Sequence, residues 1–71
     1  METQTHLYEL TSEIGEEINN EIEYQLTISE YFKIRNQEYQ KLVESKQIED
    51  NDNNFDDFNS YLGNLLNVNW G

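Results

Sequence analysis

The stretch from Glu9 to Glu23 constrains this chain more than any other. Its fifteen residues include six Glu and no Lys or Arg. The apolar residues of the stretch recur at helical spacing, so an ordered acidic surface is predicted and not a disordered acidic tail. Those apolar residues are Leu10, Ile14, Ile18 and Ile22. The acids are Glu9, Glu13, Glu16, Glu17, Glu21 and Glu23.

The apolar content is sufficient for one small acidic domain spanning residues 1–71. Leu, Ile, Val and Phe make up 18 of the 71 residues, whereas disorder is the usual expectation for a highly charged chain below roughly one-fifth. There is no Cys, so neither a disulfide framework nor a thiolate metal site can stabilise the fold. A small core without such links is commonly completed by a partner or a second copy, so homodimerisation is one expectation.

The charge balance indicates the class of partner. Fifteen acids against four basic residues give a net charge of −11, which would repel nucleic acid and anionic membranes. A basic protein is therefore the expected partner, without direct nucleic-acid binding. The sequence has no apolar run long enough to span a membrane and no signal-peptide pattern at its N-terminus, so the expected location is the cytoplasm.

The charges are segregated along the chain. Residues 1–32 hold eight acids and residues 47–71 hold five, and neither segment has a Lys or Arg. All basic residues lie between them, at Lys33, Arg35, Lys41 and Lys46. Two long acidic stretches are thus left without local neutralisation.

The expected fold class is α+β, beginning with an N-terminal helix. Leu7, Leu10, Ile14 and Ile18 recur at steps of three and four residues, which predicts a helix. Thr3 or Thr5 is a candidate cap for its start. Asn19 and Asn20, both poor helix formers, are a candidate end.

A change of period after Asn20 predicts a central β-hairpin. Ile22, Tyr24, Leu26 and Ile28 alternate with polar residues, which favours a strand over residues 21–28. A second strand is predicted over residues 31–35, with Tyr31 out of phase and exposed as a possible partner contact. The alternative is that this region is helical, which would make the chain an all-α helical bundle.

Two further short helices are predicted. The first begins at Asn36 and runs to about residue 49, and the second begins at Asn53 or Asn54. The last helix carries an apolar seam at heptad-like spacing, formed by Phe55, Phe58, Leu62 and Leu65. Trp70 is expected to fold back on the core.

A second acidic cluster precedes and enters the last helix. It consists of Asp50, Asp52, Asp56 and Asp57. On a helix, acids four residues apart recur about every 6 Å. This spacing is comparable with that of phosphates along a DNA backbone. Each strand carries one charge per roughly 3.4 Å of helix axis, and the distance between neighbouring phosphates along the winding strand is longer. Both acidic groups are therefore candidate partner-binding residues.

The chain lacks the residue patterns of an enzyme or a metalloprotein. His6 is the only histidine, and no nucleophilic triad or phosphate-binding glycine loop is present. The segment from Asp50 to Asp56 is similar to the start of an EF-hand loop, but Phe55 replaces the required glycine and Tyr61 the bidentate glutamate. No catalytic residue, cofactor or metal site is predicted.

As a whole-chain profile, the sequence resembles the small acidic inhibitors with which phages mimic DNA during host takeover. It is similar in size and charge to the phage inhibitors of the bacterial nucleoid protein HU. The resemblance is carried by Glu9, Glu13, Glu17, Glu21 and Glu23 in series, by the second acidic cluster, and by the absence of catalytic groups. It implies binding to the basic DNA-binding surface of a host protein and displacement of DNA. It implies no fold, because such inhibitors have unrelated folds.

The predicted function is therefore DNA mimicry against a basic bacterial protein, with a nucleoid-associated protein of the HU type favoured. Within the same class, the alternatives are an anti-CRISPR or anti-restriction inhibitor and an inhibitor of a DNA-repair enzyme. From a different class, the alternative is an acidic adaptor that recruits a partner helix through the seam of Phe55, Phe58, Leu62 and Leu65.

Overall fold

A computed structural model describes the backbone of residues 3–71 and the side chains from His6 onward. The chain forms three helices in order: α1 (Thr3–Glu21), α2 (Ile28–Glu44) and α3 (Asp52–Leu65). An extended tail follows α3. The predicted cap at Thr3 or Thr5 lies outside the described side chains. Along the described chain, none of the helices offers an apolar stretch of the length needed to cross a bilayer.

The predicted α+β fold is wrong, and the all-α alternative is the observed class. Residues 31–35 lie inside α2, so the hairpin does not form. Residues 22–27 are irregular, and β-type pairing in the described chain is limited to a parallel bridge between Leu26 and Val68. The predicted exposure of Tyr31 is wrong as well, because its side chain is completely buried.

A capping box explains why this region becomes a helix. Thr27 Oγ1 accepts a hydrogen bond from the Glu30 backbone N–H at 3.1 Å, and Glu30 Oε1 accepts one from the Thr27 N–H at 2.9 Å. The two side chains thereby satisfy backbone donors that the first helical turn leaves free. Buried Tyr31, Tyr39 and Leu42 then lie on one face of α2, a period that a strand cannot provide.

The remaining helix boundaries also differ from those predicted. Asn36 lies inside α2 and does not cap a helix, since α2 extends from Ile28 to Glu44. After Glu44, Lys46 adopts a left-handed backbone with φ of 64°. The Gln47 N–H bonds the Leu42 carbonyl and the Lys46 N–H bonds that of Val43, which is a Schellman termination. The last helix begins at Asp52, capped by Asn51.

The three helices and the tail share one hydrophobic core. Phe58 and Leu62 of α3 are completely buried within it. The other buried apolar residues come from α1, α2, the linker and the tail: Leu7, Leu26, Tyr31, Tyr39, Leu42, Leu66 and Val68. Trp70 packs edge-to-face against Tyr31 with ring centroids 5.2 Å apart. It folds back as predicted, yet 53% of its surface stays exposed.

The contact between α1 and α3 is close because α1 presents small residues to it. A Cβ on Gly15 would lie 3.0 Å from Leu65 Cδ1 and 3.1 Å from Leu65 Cβ. Thr11 is completely buried, and its hydroxyl donates a hydrogen bond to the Leu7 carbonyl at 2.7 Å, which satisfies this buried polar group. Asn19 Nδ2 donates to the Leu65 carbonyl at 3.0 Å and ties the end of α1 to the end of α3.

The contact between α2 and α3 is aromatic and polar. Tyr31 Oη lies 2.7 Å from the Asn59 carbonyl and 2.9 Å from Asn59 Oδ1, which also accepts from Arg35 Nη1 at 3.2 Å. The Arg35 guanidinium lies over the rings of Phe32 and Phe55, 4.7 and 4.8 Å from their centroids. Burial raises the pKa of the Tyr31 phenol, and nearby Arg35 partly offsets the rise.

Candidate partner-binding face

Five exposed acids form one face of α1, called here the α1 acidic face. Its members are Glu9, Glu13, Glu16, Glu17 and Glu21. The same helix buries Leu7, Thr11 and Gly15 against the core. At about 100° of rotation per residue, the middle of the acidic face lies opposite that buried side. The acids therefore point away from the protein, as their spacing predicts.

Four of these acids form a continuous ridge. Glu9, Glu13, Glu17 and Glu21 follow one another at intervals of four residues and span about 18 Å along the helix axis. The predicted placement of Glu21 on a strand over residues 21–28 is wrong, because α1 continues to Glu21. The bond from Asn19 to Leu65 supports this last turn.

The charge of the α1 acidic face is not neutralised locally. Where both side chains are described, ion pairing is limited to Lys41 and Glu38 on α2, with Nζ 3.4 Å from Oε2. The last turn of α1 contains no basic residue, and the carboxylates of Glu17 and Glu21 stand near the negative end of the helix dipole. This arrangement opposes folding.

Glu23 lies beyond the end of α1. Its side chain is exposed in the irregular segment of residues 22–27, so its predicted position on a strand is wrong. It belongs neither to the helical ridge nor to a sheet edge. Because it follows Glu21 by two residues, it extends the negative region past the helix terminus.

The second acidic cluster divides into acids with different surroundings. Asp50 accepts a hydrogen bond from Tyr39 Oη at 3.0 Å, and burial together with this bond raises the pKa of the Tyr39 phenol. Asp52 occupies the first turn of α3, where the helix dipole favours an anion. Asp56 and Asp57 lie one turn later in α3. Asp56 is exposed and Asp57 is half-buried.

The apolar seam of α3 is used within the chain. Phe58 and Leu62 are completely buried, and Phe55 packs partly buried against the same core. Leu65 meets Gly15 at the crossing with α1. In this fold Phe58 and Leu62 of the seam are therefore covered by the core, whereas Phe55 and Leu65 are half-buried.

A small apolar groove, called here the linker–α2 groove, lies between α2 and the segment that follows α1. Its volume is about 200 Å³. The more buried lining residues, Ile22, Leu26 and Ile34, form the floor. The exposed lining residues form the rim and are Tyr24, Lys33, Gln37 and Glu30.

The sequence-based interpretation missed this groove because it assigned Ile22 and Leu26 to one face of a strand. The signal that would have revealed it is the Thr27-x-x-Glu30 pattern. This capping-box signature predicts a helix starting at residue 28. It would have left residues 22–27 as a linker, with its apolar side chains beside α2.

No protein-family model matches this chain, and neither a curated protein nor a solved structure is significantly similar to it.

Proposed function

We propose that this protein is a DNA-mimic inhibitor that binds the basic DNA-binding surface of a bacterial protein, a nucleoid-associated protein of the HU type being favoured. The observation that carries the proposal is the ridge of Glu9, Glu13, Glu17 and Glu21 on a helix tied to the core. A ridge of fixed carboxylates can occupy Lys and Arg side chains that otherwise contact phosphates.

The ridge supports mimicry because its spacing is regular and its support is rigid. Its carboxylates recur about every 6 Å over four positions. The opposite side of α1 packs closely on α3 through Gly15, so binding need not order a flexible segment. A partner that recognises a row of phosphates would meet a comparable row of anions at a low entropic cost.

The energetics support the same function. Like charges at four-residue spacing each cost a few tenths of a kcal/mol, and the acids near the end of α1 add an unfavourable dipole interaction. Solubility alone does not require a net charge of −11 on 71 residues. Retaining such a surface is understandable when a basic partner compensates for the repulsion on binding.

The test is a competition assay with purified HU and a fluorescently labelled DNA duplex. The protein should displace the duplex, and its affinity for HU should fall steeply as NaCl is raised. A variant with Glu9, Glu13, Glu17 and Glu21 all changed to Gln should bind at least about tenfold more weakly. Its affinity should also depend less on salt.

A matched variant controls for net charge. Changing Glu30, Glu38, Glu44 and Glu49 to Gln alters the net charge by the same amount, from −11 to −7, at positions on α2 and just after it that belong to neither acidic group. This control should retain most of the affinity. Equal losses in the two variants would show that net charge matters and the ridge does not. No displacement of DNA from HU by the unmodified protein would refute the HU assignment.

A further inference from the structure

The last turn of α1 has little support of its own, although it carries the end of the acidic ridge. Asn19 and Asn20 are both poor helix formers. Glu17 and Glu21 repel each other at four-residue spacing and lie near the negative end of the helix dipole. This turn contains no basic residue that would offset either effect. Within the helix itself, propensity and charge therefore both favour fraying of the turn that holds Glu21.

A hydrogen bond from the packed side of the helix opposes this fraying. Asn19 Nδ2 donates to the Leu65 carbonyl at 3.0 Å. Leu65 is the last residue of α3, so its carbonyl is one that the helix leaves without an internal partner. Gly15 lies one turn before Asn19 and packs closely against the side chain of the same leucine. The two residues thus hold α1 on Leu65, by close packing and by a polar bond, while the acids face outward.

The anchor is uncharged, which matters at this position. The carbonyl ends of α1 and α3 meet here, so two negative helix ends lie side by side. A Lys or Arg in place of Asn19 would stabilise such a junction, but it would also pair with Glu16 and lower the negative charge offered to a partner. An amide donor satisfies the Leu65 carbonyl and neutralises no carboxylate.

We infer that Asn19 is a positioning residue for partner binding: it keeps Glu21 on the ordered end of the ridge without neutralising the ridge. The basic partner contacts Glu21, and Asn19 acts through that carboxylate. This inference rests on the proposed function and deepens it, because it makes the affinity depend on the order of the last turn of α1 as well as on its charge.

Two nearly isosteric substitutions test the order of the turn against its charge. Asn19→Asp replaces the amide donor with a carboxylate oxygen that faces the Leu65 carbonyl, so the bond is lost. Asn20→Asp makes the same change at the next residue, which is exposed on the acidic side of α1, and leaves that bond in place. One added acid takes the net charge from −11 to −12 in both variants, and Asn and Asp have similar helix propensities.

Affinity for purified HU is measured by isothermal titration calorimetry at three NaCl concentrations. Asn20→Asp should bind as tightly as the unmodified protein or more tightly, because it adds an anion on the side of the ridge. Asn19→Asp should bind about fivefold more weakly despite the same added charge, and its affinity should depend less on salt. Equal affinities of the two variants would overturn the inference and leave the proposed function standing.

A double-mutant cycle separates positioning from a loss of overall stability. Glu21→Gln should weaken HU binding less in the Asn19→Asp background than in the unmodified protein, because a frayed turn no longer presents that carboxylate. Overall destabilisation lowers the folded fraction and leaves the cost of Glu21→Gln unchanged, so an equal cost in the two backgrounds would overturn the assignment. Circular dichroism verifies that each variant is folded.

The order of the turn is also measured without a partner. The Ile22 N–H closes the turn on the Ile18 carbonyl at 2.8 Å. In hydrogen exchange followed by NMR, this amide should exchange about fivefold faster in Asn19→Asp than in Asn20→Asp. Equal exchange rates would overturn the inference even when HU is bound. Failure of the unmodified protein to bind HU would overturn both the inference and the HU assignment.

Discussion

The two outer helices, α1 and α2, pack against different sides of α3 but differ in the sign and balance of their charged residues. Leu65 of α3 meets α1, whereas Gly63, two residues earlier and so on the far side of the helix, meets Tyr31 of α2. The described part of α1 carries only acids. α2 carries three acids and three basic residues, and Lys41 pairs with Glu38.

The contrast separates charge that supports folding from charge that opposes it. α2 begins with a capping box, balances its charges and stacks Arg35 between two aromatic rings. α1 is held by its buried side, where Gly15 permits close packing, and by the bond from Asn19 to Leu65. The like charges at four-residue spacing on its outer face lower stability. The comparison therefore supports a functional origin for the acids of α1 and a structural one for the charges of α2.

The largest expected effect comes from the buried side of α1. Gly15→Leu should lower the free energy of unfolding by about 2–3 kcal/mol, because the new side chain would collide with Leu65 at the helix crossing. Chemical denaturation monitored by circular dichroism measures the change. Asn20→Ala, at an exposed position of the same helix, should be slightly stabilising because Ala is the better helix former.

A Gly15→Leu protein as stable as the unmodified one would break the comparison. It would mean that α1 is not held by close packing on α3, and that its acidic face lacks the rigid support on which mimicry depends.

A smaller effect is expected at the start of α2. Thr27→Ala removes the side-chain acceptor for the Glu30 N–H and should cost about 1 kcal/mol, readable as a lower thermal unfolding midpoint. Ser29→Ala, in the exposed first turn of the same helix, provides the control and should change stability little. Equal effects at the two positions would show that the capping box does not anchor the helix.

The smallest effects should differ in sign between the helices. Glu13→Gln on α1 removes like-charge repulsion with Glu9 and Glu17 and should stabilise the protein by a few tenths of a kcal/mol. Glu38→Gln on α2 removes the partner of Lys41 and should destabilise it by a similar amount. Paired urea titrations at low salt measure both. High salt should shrink both differences, and changes of the same sign would show that local pairing does not distinguish the helices.

Local sequence signals predicted α1 and the position of its acids because both follow from one uninterrupted helical period. Residues 21–35 could not be resolved by hydrophobic period alone. Ile22, Tyr24, Leu26 and Ile28 alternate, yet Ile22 packs at the end of α1, Leu26 bridges Val68 and Ile28 begins α2. Three different environments produced one apparent strand pattern.

Other features depended on distant contacts that no local pattern contains. Tyr31 is out of phase with the alternation of a strand, but its hydroxyl meets Asn59, 28 residues away. From the sequence, Gly15 is expected to weaken the helix. The structure shows that a residue without a Cβ is needed there, because Leu65 lies directly against it. The groove likewise requires residues of the linker and of α2 to meet.

The sequence by itself determined the acidic character of α1, the segregation of charge and the expectation of a basic partner, because these depend on residue type and short-range spacing. Tertiary structure decided that the acids from Glu9 to Glu21 form one ridge, that Glu23 stands apart from it, and that an apolar groove lies between the linker and α2. The physical reason is that α3 holds α1 by close packing while the Thr27 cap ends the linker and starts α2. Neither arrangement follows from the period of any single segment.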